Sequence, residues 1–464
     1  MKSNVTLKFL GAARTVTGSR FLLRSDESCV MVDAGLFQGL KELRLKNWDD
    51  FSFPPRDIDA VVLTHAHLDH CGYLPRLVKQ GFRGKIYMTE YTAKLAAVVL
   101  RDSAKLQMED ADFARRKGFS RHKEPLPLYT DVDVEQTIDL FETVPYRHET
   151  SITKDTAVTF YPCGHVLGAS FVSITIADRR VLFTGDLGRS THPLLRAPDP
   201  IPGGKFDAII TESTYGDRTH TNDVEEFPRA INRALNRGGS VLIPAFAVDR
   251  TEVILMELRR LMDEQVIKKV PIYADSPMAL TTLNYYREAI RFASPEIRTD
   301  MVEGYREHDP FSAGTLKELR TVEDSKSINN PHSPGIIISA SGMATGGRVV
   351  HHLEGMLPNP KHAVVLVGFQ AMGTRGRQLV DGAEAVKMYG KYVPVRAEIS
   401  QVGAFSVHAD TDELLVWLSK AEVEPTTTYV VHGEESAAEM FASKLSHDLG
   451  WLAVVPNDGE QVTI

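Results

Sequence analysis

Residues 61–73 read VVLTHAHLDHCGY. The apolar run Val61–Leu63 ends in Thr64, and His65, His67, Asp69 and His70 follow within the next six positions. A short apolar run that stops at a polar loop is the pattern of a buried strand reaching its carboxyl end. Packing requires no such loop. Three imidazoles and a carboxylate are instead good donors for zinc and similar divalent ions. His65 and His67 are spaced to converge on one ion, and Asp69 and His70 point to a second. A lone histidine here would be read as structural. Four donors straight after a strand read as a metal site.

The rest of the chain bounds what such a site can serve. Its 464 residues imply two or three domains. A hydrophobic content of 43% with 25% charged residues is that of an ordinary globular protein. No apolar stretch is long enough to span a membrane, and the N-terminal MKSNVTLKFLG reads as a strand without a secretory signal. The three cysteines, Cys29, Cys71 and Cys163, form no CxxC pair, which points to a reducing, cytoplasmic setting. Cys71 and Cys163 adjoin candidate ligand loops, but small apolar packing is the simpler reading of all three. The net charge of −8 argues against nucleic-acid binding over the whole surface and leaves room for a local basic groove.

HAHLDH resembles the HxHxDH signature of the metallo-β-lactamase fold, a match that fixes four positions at once. Upstream, Cys29–Val32 is an apolar run closing on Asp33. That aspartate is either a turn cap or, as the resemblance implies, a group that steadies the histidine loop from behind the ligands. Residues 91–117, without glycine or proline, predict one long helix. Downstream, Val158–Tyr161 leads into PCGHVLGAS with His165. Phe171–Ile176 and Arg180–Phe183 form a predicted hairpin whose second strand ends in TGDLG with Asp186. Taken alone, His165 is a loop histidine and Asp186 a turn former. The resemblance makes them part of a set, with His65, His67 and His165 for one metal, Asp69 and His70 for the other, and Asp186 bridging.

From about residue 206 the rhythm changes to alternating strands and helices, which implies βαβ units and a parallel sheet. We expect the first part of one domain over 1–207, an inserted α/β domain over 208–390 and the C-terminal part of the first domain over 391–464. Glu212 in IITESTYGDR, His408 in FSVHAD and His432 in VHGE accompany the insertion. With them the chain resembles the β-CASP nucleases over nearly its whole length. The family includes ribonuclease J and the nuclease of pre-mRNA cleavage and polyadenylation. The resemblance implies an αββα four-layer sandwich with an inserted α/β β-CASP domain, and the one helix and strand expected after His432 leave no appended RNA-binding domain expected there. The resemblance assigns His432 to the second metal site and makes His408 the general acid, oriented by Glu212. Asp69 and Asp186 share the catalytic centre as ligands. The family's usual alanine before that histidine is Val407 here, a mild departure.

The expected function is therefore metal-dependent hydrolysis of RNA phosphodiester bonds in RNA processing or decay, leaving 5′-phosphate and 3′-hydroxyl ends. Two zinc ions are the expected cofactors, and manganese would tolerate the same donors. RNA, single-stranded, is the expected partner. No membrane is expected, and the assembly is open, a homodimer included. SASGMATGGR, with Ser341, Gly342 and Arg348, is a phosphate-contact candidate or an ordinary turn. Ser406, Arg375 and Arg377 join it as candidates. Three other functions share parts of this pattern. They are a single-strand DNA nuclease, a lactonase-type hydrolase of small esters, and a non-catalytic RNA-binding scaffold. The hydrolase would leave Glu212 and His408 without a role.

Overall fold

The computed structural model describes residues 4–51, 53–117, 124–220, 223–305, 308–312, 314–329, 331 and 333–464. The chain divides into two compact units, Met1–Thr219 with His408–Ile464, and His220–Val407. None of its described helices is long and apolar enough to cross a membrane.

The first unit is built on two seven-stranded sheets. One runs Gln461–Thr463, Thr6–Phe9, Phe21–Arg24, Cys29–Val32, Ala60–Val62, Lys85–Met88, Phe141–Thr143. The other runs Ala453–Val454, Thr427–Val430, Ala208–Thr211, Arg179–Phe183, Ser170–Ile176, Thr156–Pro162, Thr150–Ser151. Alternating residues of both sheets meet in one core, including Leu7, Phe9, Val32 and Val62 from the first and Phe160, Ile174, Phe183 and Ile210 from the second. Each such fully buried side chain stabilises the fold by roughly 1.5–3 kcal/mol. Residues of opposite parity face outward to helices. Phe171, of opposite parity to the core residues Val172 and Ile174, meets Trp417 of helix Thr411–Leu418 at a ring-centroid distance of 5.1 Å. Helix Glu435–Lys444 packs on the same sheet, and helices Leu74–Lys79, Glu90–Lys117 and Asp131–Ile138 serve the other. The result is the expected αββα sandwich.

Strand direction places the site. Cys29–Val32 and Ala60–Val62 run parallel, as do Arg179–Phe183, Ala208–Thr211 and Thr427–Val430. Asp33, His65, Asp186, Glu212 and His432 all follow directly on the carboxyl ends of these strands. This is the rim where open α/β sheets present ligands.

The second unit holds a six-stranded parallel sheet, Leu316–Glu318, Ile272–Ala274, Ile336–Ser339, Val241–Pro244, Ala363–Leu366, Glu398–Gln401. Its central strands are buried at every position, as expected of a sheet covered on both faces. A separate hairpin pairs Ala385–Met388 with Lys391–Pro394.

The boundaries differ from those expected. Ala208–Thr211, expected to open the inserted domain, pairs in the first unit between Arg179–Phe183 and Thr427–Val430. The segment after residue 390, expected to rejoin the first domain, supplies the hairpin strand and the edge strand Glu398–Gln401 of the second unit. A four-residue strand has the same appearance in either sheet, so local pattern cannot assign the partner.

Candidate metal centre and proton donor

The loop after Ala60–Val62 is pinned by backbone before any side chain acts. The Ala34 N–H donates to His70 O at 2.7 Å, the Ser19 N–H to Asp69 O at 2.8 Å and the Leu36 N–H to Leu68 O at 3.0 Å. A Cβ at Gly35 would stand 1.6 Å from the Asp69 carbonyl oxygen, so only glycine lets the two turns approach. The loops carrying His165 and Asp186 are locked in the same way. A Cβ at Gly188 would lie 1.9 Å from Gly164 O, and the Gly188 N–H donates to Cys163 O at 2.8 Å. Cys163 and Cys71 are buried thiols directed at carbonyls, Asp186 O at 3.2 Å and Ala66 O at 3.4 Å.

Within this frame the predicted donors form two groups. Donor atoms of His65, His67, His165 and Asp186 lie within 4.8 Å of one another, as do those of Asp69, His70 and His432. The Nε2 atoms of His65 and His165 each stand 3.2 Å from His67 Nδ1. The Nε2 atoms of His70 and His432 are 3.2 Å apart, and His432 Nε2 is 3.5 Å from Asp69 Oδ2. Asp186 lies between the groups. Its Oδ2 is 3.4 Å from His65 Nε2 and 3.6 Å from His165 Nε2, and its Oδ1 is 3.3 Å from His70 Nε2.

The outward nitrogens are held. His70 Nδ1 is 2.8 Å from Asp33 Oδ2, while the Thr64 N–H and hydroxyl donate to the two Asp33 oxygens at 2.8 and 2.9 Å. Asp33, at φ 56°, is thus both a turn residue and the support of a ring. His65 Nδ1 is 3.1 Å from Thr64 Oγ1, and His432 Nδ1 is 3.1 Å from Thr214 Oγ1. Such partners fix the tautomer and leave the other nitrogen's lone pair for an ion. Sequence reasoning missed Thr64, Thr214 and Ser19, whose Oγ is 3.4 Å from His70 Nε2. The signal for Thr214 was weak, a polar residue two places after Glu212.

The electrostatics match a cation. Burial lowers the His65 pKa to about 3 and that of His67 to about 4, and pushes His165 well below the usual range, so all three rings are neutral. Burial would also lower His70, but the Asp186 and Asp33 carboxylates raise it well above the usual value. Against the penalty of burial, the His432 hydrogen bond holds Asp69 low, and neighbouring histidines hold Asp186 low. Neutral lone pairs converge beside buried carboxylates that demand positive charge. Asp186 Oδ1 is buried and accepts no hydrogen bond. The donor set fits a pair of divalent ions.

Beside the donors, His408 Nδ1 is 3.1 Å from Glu212 Oε2, and the Leu187 N–H donates to Glu212 Oε1 at 2.5 Å. His408 is held by an isolated bridge to Gly188 and by the Ala409 N–H on Leu187 O at 2.7 Å. Its ring is 4.4 Å from that of His165, centroid to centroid, and its side chain keeps 16% exposure while Glu212 has none.

The phosphate-contact candidates lie in the second unit and fare differently. Arg348, proposed for phosphate, donates to the buried Asp275 at 2.6 Å and to the Leu319 and Arg320 carbonyls. Asp275 also receives Ser325 Oγ and faces His352 Nε2, each at 2.6 Å. Arg375 donates to the Lys387, Ala344 and Thr345 carbonyls, and Arg377 pairs with Asp381 one turn on. A buried carboxylate needs a guanidinium more than a solvated phosphate does, and no sequence pattern shows that carboxylate. Ser341 Oγ accepts from the Thr345 N–H at 3.1 Å, Gly342 packs against Phe246, and the Ser406 N–H donates to Gly403 O at 3.0 Å.

Residues 14–219 match the Metallo-beta-lactamase superfamily, residues 251–379 the Beta-Casp domain, and residues 392–456 the Zn-dependent metallo-hydrolase RNA specificity domain. The chain is 37% identical to the protein named Ribonuclease TTHA0252 of Thermus thermophilus, over 92% of each chain. It is 29% identical to a Methanocaldococcus jannaschii protein named RNase J-like protein, over 98% of this chain and 99% of that one. It is 30% identical to the Transcription termination factor FttA of Pyrococcus horikoshii, over 98% of this chain and 70% of that one. A solved structure from Enterococcus faecalis V583, described as a protein of unknown function, superposes with a TM-score of 0.53 over 99% of this chain and 100% of that one. At 13% identity it speaks to the fold alone.

Proposed function

The chain belongs to the metallo-beta-lactamase superfamily, in the group that carries a Beta-Casp domain, and from that membership we propose that it is a metal-dependent ribonuclease. The observation that carries the reading is the Glu212–His408 pair, 3.1 Å apart, beside two donor clusters that share Asp186. A small-ester hydrolase would use the donors but not the pair. A scaffold without catalysis would need neither. The names of relatives, Ribonuclease TTHA0252 and RNase J-like protein, favour RNA over DNA.

In this reading His65, His67 and His165 would hold one cation and Asp69, His70 and His432 the other, with Asp186 available to both. Zinc is the expected ion and manganese the alternative. When bound, such a pair supplies an activated water near neutral pH and neutralises phosphate charge. The protein's own residues do the rest. Asp33, Thr64 and Thr214 orient ligand rings. Glu212 fixes the His408 ring through Nδ1, so that Nε2 is the nitrogen presented to deliver a proton to the leaving 3′ oxygen. The Ser341–Gly342 turn and Ser406 remain the phosphate-contact candidates, and Arg348 and Arg375 hold the loops around them.

The test is end analysis on a labelled single-stranded RNA. The expected products carry 5′-phosphate and 3′-hydroxyl ends, because the 2′-hydroxyl is not consumed. Products with 2′,3′-cyclic phosphate ends would overturn the scheme. A circular copy of the same RNA separates internal cleavage from cleavage that needs an end.

A further inference from the structure

In the second unit the hairpin Ala385–Met388/Lys391–Pro394 closes through Tyr389 and Gly390, at φ 48° and 83°, the left-handed pair that a tight two-residue turn requires. Its inner face is anchored, with Val386, Met388 and Val393 buried in a core that includes Leu353, Met356 and Leu379. The outer face is therefore presented rigidly. It places Lys387 directly across from Tyr392, with Lys387 Nζ 6.0 Å from the ring centroid. Tyr392 is 71% exposed, the largest exposure of any large hydrophobic side chain among the described residues. Tyr389, 43% exposed, stacks on His351 at 4.9 Å and 19°.

The charge is as local as the aromaticity. Residues 385–397 contain Lys387, Lys391 and Arg396 and no acidic residue, in a chain whose net charge is −8. Lys391 pairs with Glu354, and Lys387 and Arg396 are exposed. Packing does not require an exposed tyrosine here, because the buried face already holds the hairpin. Flat aromatic faces interleaved with cations match the surface that unpaired bases and their phosphates recognise.

We propose that this outer face is a stacking platform for single-stranded RNA, with Tyr392 and Tyr389 taking bases and Lys387 and Arg396 facing phosphates. The proposal rests on the ribonuclease reading and adds a substrate contact to it. Steady-state cleavage of a long single-stranded RNA by the full-length protein tests it, together with photo-cross-linking of the same RNA carrying 4-thiouridine. Removing one stacked base contact is worth roughly 1–3 kcal/mol, so Tyr392→Ala should raise KM about five-fold or more with kcat kept. Tyr392→Phe should restore KM, and the cross-linked peptide should contain Tyr392. Lys387→Ala should flatten the salt dependence of binding by about one phosphate contact. An unchanged KM in Tyr392→Ala, while the wild type cleaves RNA, overturns the platform and leaves the ribonuclease reading standing. The same unchanged KM with a drop in sedimenting mass would assign the face to contact between copies. A wild type that cleaves no RNA removes both readings.

Discussion

Asp33 spends its two oxygens on the Thr64 backbone, the Thr64 hydroxyl and the His70 ring. Asparagine at that position offers one acceptor oxygen in place of two, so either the Thr64 N–H loses its partner or the Thr64 hydroxyl and the His70 ring both do. Replacing such a group typically costs about ten- to a hundred-fold in metal affinity. Asp33→Asn should show that loss in competition with a chelator while remaining folded, and Thr214→Val should weaken the ion at His432 in the same way. Retention of wild-type affinity in both would mean that these contacts only pack the loop. At this scale His65, His67, Asp69 and His70 were legible because donors clustered after a strand have few other uses. His165, Asp186 and His432, each alone in its loop, were legible only through the family resemblance. Thr64, Thr214 and Ser19 were not, since hydroxyl residues follow strands everywhere. The ion pair of Arg348 was not legible because its partner, Asp275, lies 73 positions away in sequence.

Two elements of the second unit carry buried carboxyl groups that packing must answer. Asp275 closes its strand fully buried, and burial would raise its pKa, but hydrogen bonds with His352, Ser325 and Arg348 keep it low. Removing one partner of a buried pair costs about 3–5 kcal/mol. Arg348→Ala should therefore lower the melting temperature clearly, whereas a residue that only contacts phosphate would leave it unchanged. In helix Arg250–Asp263, Glu252 is fully buried. Burial first and the neighbouring Asp249 next raise its pKa well above the usual 4.5, with Arg287 opposing. Above about pH 4.5 the unfolded chain releases this proton and the folded chain keeps it. Stability relative to Glu252→Gln should then fall as pH rises, until the folded group itself ionises. Parallel melting profiles of the two proteins from pH 5 to 8 would contradict this. Element types were readable from periodicity, but membership in a sheet was not. Ala208–Thr211 and Glu398–Gln401 joined partners that only long-range pairing decides, and the edge strand Leu316–Glu318 is too short and polar to announce itself.

At the scale of the whole molecule, the first unit gathers donors from both ends of the chain, His65 through His165 and then His432. Ions bound there would tie these segments together in the folded state alone. Chelation should consequently lower the melting temperature as well as abolish cleavage, and added zinc should reverse both. Loss of activity without any thermal shift would place the required ion elsewhere. The insertion was readable because strand–helix alternation begins abruptly, and the sandwich because the histidine signature resembles a family that has it. The two joins were not, because a short strand such as Ala208–Thr211 or Glu398–Gln401 does not show in its sequence which sheet it enters. The proposed role of His408 is to protonate the leaving oxygen when this metal centre hydrolyses RNA. It is tested most directly with an RNA whose scissile 3′ oxygen is replaced by sulfur, a leaving group that needs no proton. His408→Ala should lose roughly a hundred- to ten-thousand-fold on the oxygen linkage and recover most of it on the sulfur linkage. An equal loss on both linkages would contradict the assignment of His408 as the acid.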